Sequence, residues 1–139
     1  MKEYKTYIPV ALIILMFLSL IIFHKDIATY ISQSKIEQLS ANTKKSISDS
    51  ITQKYNYHHN GETYDYTFIE FGSTGSHSCR QMEEVMEKIK TEYKGKVNVV
   101  FINLMEPESK RFFEYYGVAT IPTQVLLDKK GKEFFRHTG

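Results

Sequence analysis

The distribution of apolar positions changes character several times along the chain. From Tyr7 to Phe23, YIPVALIILMFLSLIIF, no charged side chain interrupts the run. At 1.5 Å per residue, a helix over it is about 26 Å long, close to the hydrocarbon thickness of a bilayer. The run is apolar on every face, not along one stripe, which predicts a transmembrane anchor over 7–23 behind a short tail of residues 1–6. The run gives way to HKDIATY, with no small-x-small cleavage pattern. An uncleaved anchor is therefore expected, with a secreted product after signal-peptide cleavage as the alternative. Lys2, Lys5 and the terminal amine precede the span and Lys25 and Lys35 lie behind it, which places the N-terminus in the cytoplasm and the remainder outside.

Residues 24–54 read as a helical stalk or linker. Ile36, Leu39, Thr43, Ile47 and Ile51 recur at three- or four-residue steps, so SKIEQLSANTKKSISDSI predicts a helix with a thin apolar stripe; a membrane-proximal stalk or a helix lying against the domain would both fit, and the solvated stalk is expected. YNYHHNGETYDY comes next. Centred on Asn60-Gly61, the preferred two-residue hairpin turn, it sets Tyr57 opposite Tyr64 and Tyr55 opposite Tyr66.

Beyond residue 55 strand-like and helix-like patterns alternate. YTFIEF (66–71) is a nearly continuous apolar run, as expected for a strand buried on both faces. Met82, Val85, Met86, Ile89 and Tyr93 keep helical spacing up to a terminating Gly95. VNVVFINL (97–104) predicts the next strand, and PESKRFFEYYG (107–117) a helix with proline at its start and glycine at its end. QVLLD and EFFRH flank KKGK as a hairpin. The order β-α-β-α-β-β defines an α/β domain over 55–139, with the first three strands joined by right-handed crossovers and the last pair antiparallel.

Composition narrows the chemistry. With 18 basic and 16 acidic side chains in 139 residues and no Lys/Arg-rich cluster, nothing calls for nucleic acid. A single cysteine, Cys79, excludes an internal disulfide framework and a cysteine-rich zinc site. The five histidines show no metal-ligand spacing, so neither a metal nor any other cofactor is expected. Cys79 lies in GSTGSHSC, between the predicted strand and helix, with Ser76 three residues before it. A serine-hydrolase reading of Ser76 with His77 fails, because adjacent loop residues rarely form the required hydrogen bond and no orienting third member is evident.

FIEFGSTGSHSCRQMEEVMEKIKTEYKGKVNVVFINL and then YYGVATIPTQVLLDKKGKEFFRHTG together resemble the thioredoxin family, with the nearest likeness to its membrane-anchored bacterial members. The constellation of strand, loop, helix and a later GVATIPT carries the resemblance, over about residues 66–139. It implies a thioredoxin fold with a central mixed sheet. It also implies a site in which Ser76 occupies the position of the nucleophilic cysteine, Cys79 that of the resolving cysteine and Glu70 that of a buried acid. Pro122 matches the cis-proline and, with Ile121 and His77, would face extended substrate backbone. Gly75 replaces an aromatic residue common in the family, and Phe101 stands where thioredoxin itself has a lysine near the acid. A complete thioredoxin fold adds one more helix after FFRHTG, without which Phe134 or Phe135 would be exposed, so a C-terminally incomplete domain, or another cover for that face, is expected.

Family chemistry requires a thiolate, activated at a helix N-terminus, to attack a substrate disulfide, and a second thiol to resolve the mixed disulfide. A serine hydroxyl is not ionised at neutral pH and cannot form that bond. The expected protein is thus a single-pass bacterial inner-membrane protein with its domain in the periplasm. It belongs to a thiol–disulfide oxidoreductase family, acts on protein thiols or disulfides, and is silent or impaired in dithiol exchange because of Ser76, natural or introduced. The alternatives are a non-catalytic module holding extended peptides or a partner protein, and monothiol chemistry through Cys79.

Overall fold

The computed structural model describes residues 4–139; the side chains of residues 4–6, 20–26, 28, 29, 32 and 35 lie outside the described residues. Helix α1 runs over Tyr4–Gln38. Its large apolar side chains from Tyr7 to Leu18 are 50–68% exposed. Among the described residues, no helix is long and apolar enough to cross a membrane. The expected span 7–23 falls partly outside those residues, because its side chains 20–23 are among the ones excluded, and so do all four lysines on which the orientation rests.

The helix expected over 34–51 is instead two. Ser40 interrupts it: its backbone is extended (φ −61°, ψ 149°) and its Oγ accepts a hydrogen bond from the Thr43 amide at 3.2 Å, capping α2 (Ala41–Tyr55). Nor is α2 a solvated stalk. Ile47, Ile51 and Tyr55, four residues apart on one face, are 3–5% exposed and belong to the main core. A stripe that looked too thin for a core helix suffices because it lies on a sheet that supplies the rest of the apolar surface.

The hairpin expected at Asn60-Gly61 is not formed. The segment makes a short helix, α3 (Tyr57–Asn60), capped by the Asn56 side chain, and Gly61 at φ +79° ends it. Asn-Gly thus supplies a left-handed helix stop in place of a turn between strands. Burial explains the choice. The Tyr57 hydroxyl bonds Thr67 Oγ1 and accepts from Asn98 Nδ2 at 2.9 Å, and its ring meets Tyr64 with centroids 5.4 Å apart. Tyr55 is buried in the core, whereas Tyr66 lies against Phe134, so their expected pairing does not occur.

Strands β1 (Tyr66–Gly72), β2 (Val97–Asn103), β3 (Thr123–Asp128) and β4 (Glu133–Thr138) form one mixed sheet in the order β2-β1-β3-β4. β1 and β2 are parallel, joined by α4 (His77–Glu92). Sixteen helical residues travel about 24 Å, enough to return the chain along a seven-residue strand of about 23 Å. The second connection contains a 3₁₀ turn at Pro107–Ser109 and α5 (Lys110–Tyr115). This connection returns the chain to the sheet near the end it left. β3 therefore runs antiparallel to β1, not parallel as a right-handed crossover would give. β3 and β4 form the expected antiparallel pair through the turn at Gly131 (φ +78°).

Two faces result. Ile69, Phe71, Val125 and Leu127 pack under α2 and α5 with Phe113, Tyr116 and Val118, and Phe71 lies edge-on to Phe113 at 5.0 Å. On α4, Cys79 and Met86 are buried, with Met82 and Ile89 half-buried, while Val85 and Tyr93 are 41% and 50% exposed. The buried stripe of α4 is therefore narrower than its sequence spacing suggested. Phe134 and Phe135 on β4 are 55% and 51% exposed.

Candidate functional site

β1 ends at Gly72, and a four-residue loop turns the chain into α4 with Ser76 at the N-cap. Ser76 has an extended backbone (φ −81°, ψ 132°), and its amide donates to the Ser73 carbonyl at 3.1 Å. Its Oγ makes no capping bond to a backbone N–H; it contacts Ser78 Oγ at 2.9 Å. The half-buried side chain thus stands where the unpaired amides and dipole of α4 would stabilise a negative charge. A hydroxyl makes no use of that field at neutral pH. His77, the first helical residue, is exposed.

Cys79 completes the first turn of α4 and is 2% exposed. Its Sγ accepts from the Ser73 amide at 3.4 Å and rests on Gly72, where an added Cβ would lie 2.9 Å away. Such a Cβ would also lie 2.9 Å from Phe101 Cε2. Glycine at 72 is therefore what lets the helix seat the thiol on the sheet.

Two residues before Gly72 along β1, and so on the same face of the strand, Glu70 is fully buried. Its Oε2 accepts from Gln124 Nε2 at 2.8 Å, while Oε1 has no partner among the described residues. Glu70 pairs with Phe101 on one side and Gln124 on the other. With a phenyl ring in the neighbouring position and no ion pair to Glu70 among the described residues, burial pushes its carboxyl from 4.5 up to about 7, against the opposing effect of the Gln124 hydrogen bond. The Gln124 carbonyl in turn contacts His137 Nδ1 at 2.8 Å. The resulting chain Glu70–Gln124–His137 runs from a buried acid to an exposed imidazole. Sequence reasoning missed Gln124 and His137. The available signal was a polar residue in a strand otherwise apolar at its centre, two positions after Pro122.

The Ile121–Pro122 peptide is cis, and Pro122 is buried at the start of β3. Since Phe71 pairs with Thr123, continuing the register by one residue sets Pro122 beside Gly72, the residue under Cys79. The structure therefore brings Glu70, Ser76, Cys79, Ile121 and Pro122 to one end of the sheet, with His77 at its rim. Among the described residues, no group of three or more His, Cys, Asp or Glu side chains could hold a metal ion.

A family model described as a thioredoxin-like domain matches residues 53–139. The chain is 33% identical over 67 residues to the chloroplastic thioredoxin-like protein HCF164 of Arabidopsis thaliana, and 31% identical over the same length to that of Oryza sativa subsp. japonica. Each match covers 48% of this chain and 26% of the relative, so the chain spans about a quarter of the length of these proteins. Among solved structures, thioredoxin O2 from Arabidopsis thaliana in its oxidised state superposes with a TM-score of 0.54 at 16% identity. That superposition covers 68% of this chain and 76% of the other, and it shows a shared fold.

Proposed function

The chain belongs to the thioredoxin-like family, and from that premise we propose that it is a membrane-anchored member of the thiol–disulfide oxidoreductase group whose nucleophile position is occupied by Ser76. The apolar run 7–23 is its single-pass anchor in a bacterial inner membrane, and the domain faces the periplasm. Its partners are protein thiols and disulfides, held as extended chain against Ile121 and Pro122.

One observation carries this reading: a helix N-cap, a buried thiol, a buried carboxyl and a cis-proline converge at one end of one sheet. In the complete reaction a thiolate at position 76 attacks one sulfur of a substrate disulfide and expels the other as thiolate. The Cys79 thiol then loses its proton to Glu70, attacks the mixed disulfide, and leaves a 76–79 disulfide and a reduced substrate. With Ser76 the first bond cannot form. The buried position of Cys79 disfavours independent monothiol chemistry.

Ser76→Cys tests the reading. The full chain and the variant, in mild detergent and shown by circular dichroism to be folded, are compared in dithiothreitol-driven insulin reduction. The expected result is turnover by Ser76→Cys over a silent parent. If both are folded and silent, the oxidoreductase reading falls and a redox-inactive peptide- or partner-binding module takes its place.

A further inference from the structure

The polar chain across β1, β3 and β4 has a direction. Gln124 is buried between Glu70 and His137 and is the register partner of each. Its Nε2 donates to Glu70 Oε2 at 2.8 Å, and its Oε1 meets His137 Nδ1 at 2.8 Å. An amide nitrogen only donates and an amide oxygen only accepts. In this arrangement His137 Nδ1 therefore carries a proton and Glu70 Oε2 is an acceptor. Glutamine at 124 joins two groups that cannot meet directly, because β3 separates the strands that carry them.

Turned by half a rotation, the amide would present its oxygen to Glu70 and its nitrogen to His137. That state needs a proton on the carboxyl oxygen and a free lone pair on Nδ1. The observed orientation thus stabilises the carboxylate, and the reversed one the neutral acid. Gln124 is the one donor to Glu70 among the described residues, and its hydrogen bond lowers the acid's pKa against the larger effect of burial. No neighbouring charge competes with it. β2 has no ionisable side chain and sets Phe101 beside Glu70. On β3 the one ionisable residue is Asp128, beside Tyr66 at the far end of β1. α4 contributes the Cys79 thiol to this face, whereas His77 and its charged residues from Arg80 to Glu92 are exposed. On β4, Arg136 and Glu133 are bonded to each other.

We propose that His137 is a positioning residue for the buried acid: its Nδ1–H holds the Gln124 amide in the orientation that donates to Glu70, and so keeps the carboxylate form within reach. An exposed imidazole on the last strand thereby governs a carboxyl that solvent does not touch. The inference rests on the reading of Glu70 as proton acceptor for Cys79, and adds what sets that acceptor. Without the Nδ1 proton the amide is free to turn. Its oxygen then accepts from the neutral carboxyl, and the acid gives up its proton less readily.

The test reads Glu70 itself. The full chain, labelled with carbon-13 at the glutamate carboxyls and held in dodecyl maltoside, is titrated by NMR across the neutral range; the signal of residue 70 is the one absent from Glu70→Gln. The parent midpoint is expected at about 7. His137→Leu, a change at an exposed position, should raise it by about half a pH unit or more, and Gln124→Met, which removes the bond itself, by about one. His137→Asn, whose side-chain amide sets an N–H close to where Nδ1 stood, should keep it near the parent value. His59→Leu, exposed on α3, should leave it unchanged. An unmoved midpoint in His137→Leu would overturn the inference, as would an equal rise in His137→Asn or His59→Leu. Should Gln124→Met prove misfolded by circular dichroism, the His137 variants decide alone. None of these readouts needs turnover. In the Ser76→Cys background, His137→Leu should also move the acid limb of insulin reduction to higher pH. If Ser76→Cys is silent while the Glu70 midpoint still follows His137, the redox reading falls and the hold of His137 on Glu70 stands.

Discussion

The protonation of Glu70 offers a quantitative test of the site. In the folded chain its carboxyl titrates near 7, against 4.5 ordinarily, because burial disfavours the charged form. An acid with a raised folded pKa holds its proton more tightly folded than unfolded. Between about 4.5 and 7 the folded state therefore binds more protons than the unfolded, and stability falls as pH rises through that window. Below it the contribution is fully favourable; above it the loss is complete. A displacement of about two and a half units, at about 1.4 kcal/mol per unit, corresponds to about 3 kcal/mol. Glu70 is fully buried, so solvent screening takes little from that figure. For a chain of this size the loss is a fall of about 10 °C in Tm. Glu70→Gln keeps the shape and an acceptor for Gln124 but cannot ionise. Thermal melts of the full chain and of Glu70→Gln, monitored by circular dichroism from pH 4.5 to 8.5, should diverge. The parent should lose stability through pH 5–7 while the variant stays comparatively flat, and their difference cancels the surface carboxylates common to both. Parallel curves would refute the claim that Glu70 is buried without a compensating charge.

Packing gives two further expected outcomes. Gly72→Ala should cost about 1–3 kcal/mol by thermal melts, since its Cβ would lie 2.9 Å from Cys79 Sγ; Cys79→Ala should recover part of the loss, a coupling read from the double-mutant cycle. Ile51→Ala should destabilise the domain by about 2–4 kcal/mol, whereas a solvated stalk would show almost no change.

The sequence displayed the site more clearly than the path of the chain around it. Glu70, Ser76, Cys79 and Pro122 were singled out through the resemblance to the thioredoxin family, which rests on short local stretches: an acid inside an apolar run, a loop before an amphipathic helix, and an Ile-Pro between helix and strand. Two misreadings arose where a local pattern was overridden by burial. Asn60-Gly61 fits a hairpin, but Tyr55 and Tyr57 gain more by entering the core, and the same left-handed glycine then serves as a helix stop. The stripe of α2 looked solvated because its polar residues outnumber its apolar ones, yet three side chains at four-residue spacing are enough against a sheet. Strand direction depends on which end of the sheet the chain re-enters, which the periodicity of β3 does not record. Gln124 escaped notice because its meaning lies in register: only pairing β1 with β3 sets it opposite Glu70.

The arrangement also separates what the fold maintains from what the chemistry lacks. At neutral pH and above, Glu70 weakens the domain, and a glutamine or leucine there would pack without that cost. Its carboxyl is half-ionised near pH 7, two residues along the strand from the glycine that seats Cys79. A group so poised is suited to exchanging a proton with a thiol, whose ordinary pKa is about 8.5. The helix N-cap at position 76 is likewise arranged for a charge that serine does not carry. On the proposed reading, proton acceptor, seated thiol, helix N-terminus and cis-proline are all assembled, and what dithiol exchange would lack is confined to one atom, a sulfur in place of the oxygen of Ser76. That confinement is why a single substitution decides between the two readings of the fold. Restoring sulfur at 76 gives the assembled groups something to act on, and silence after that change would mean their convergence serves binding alone.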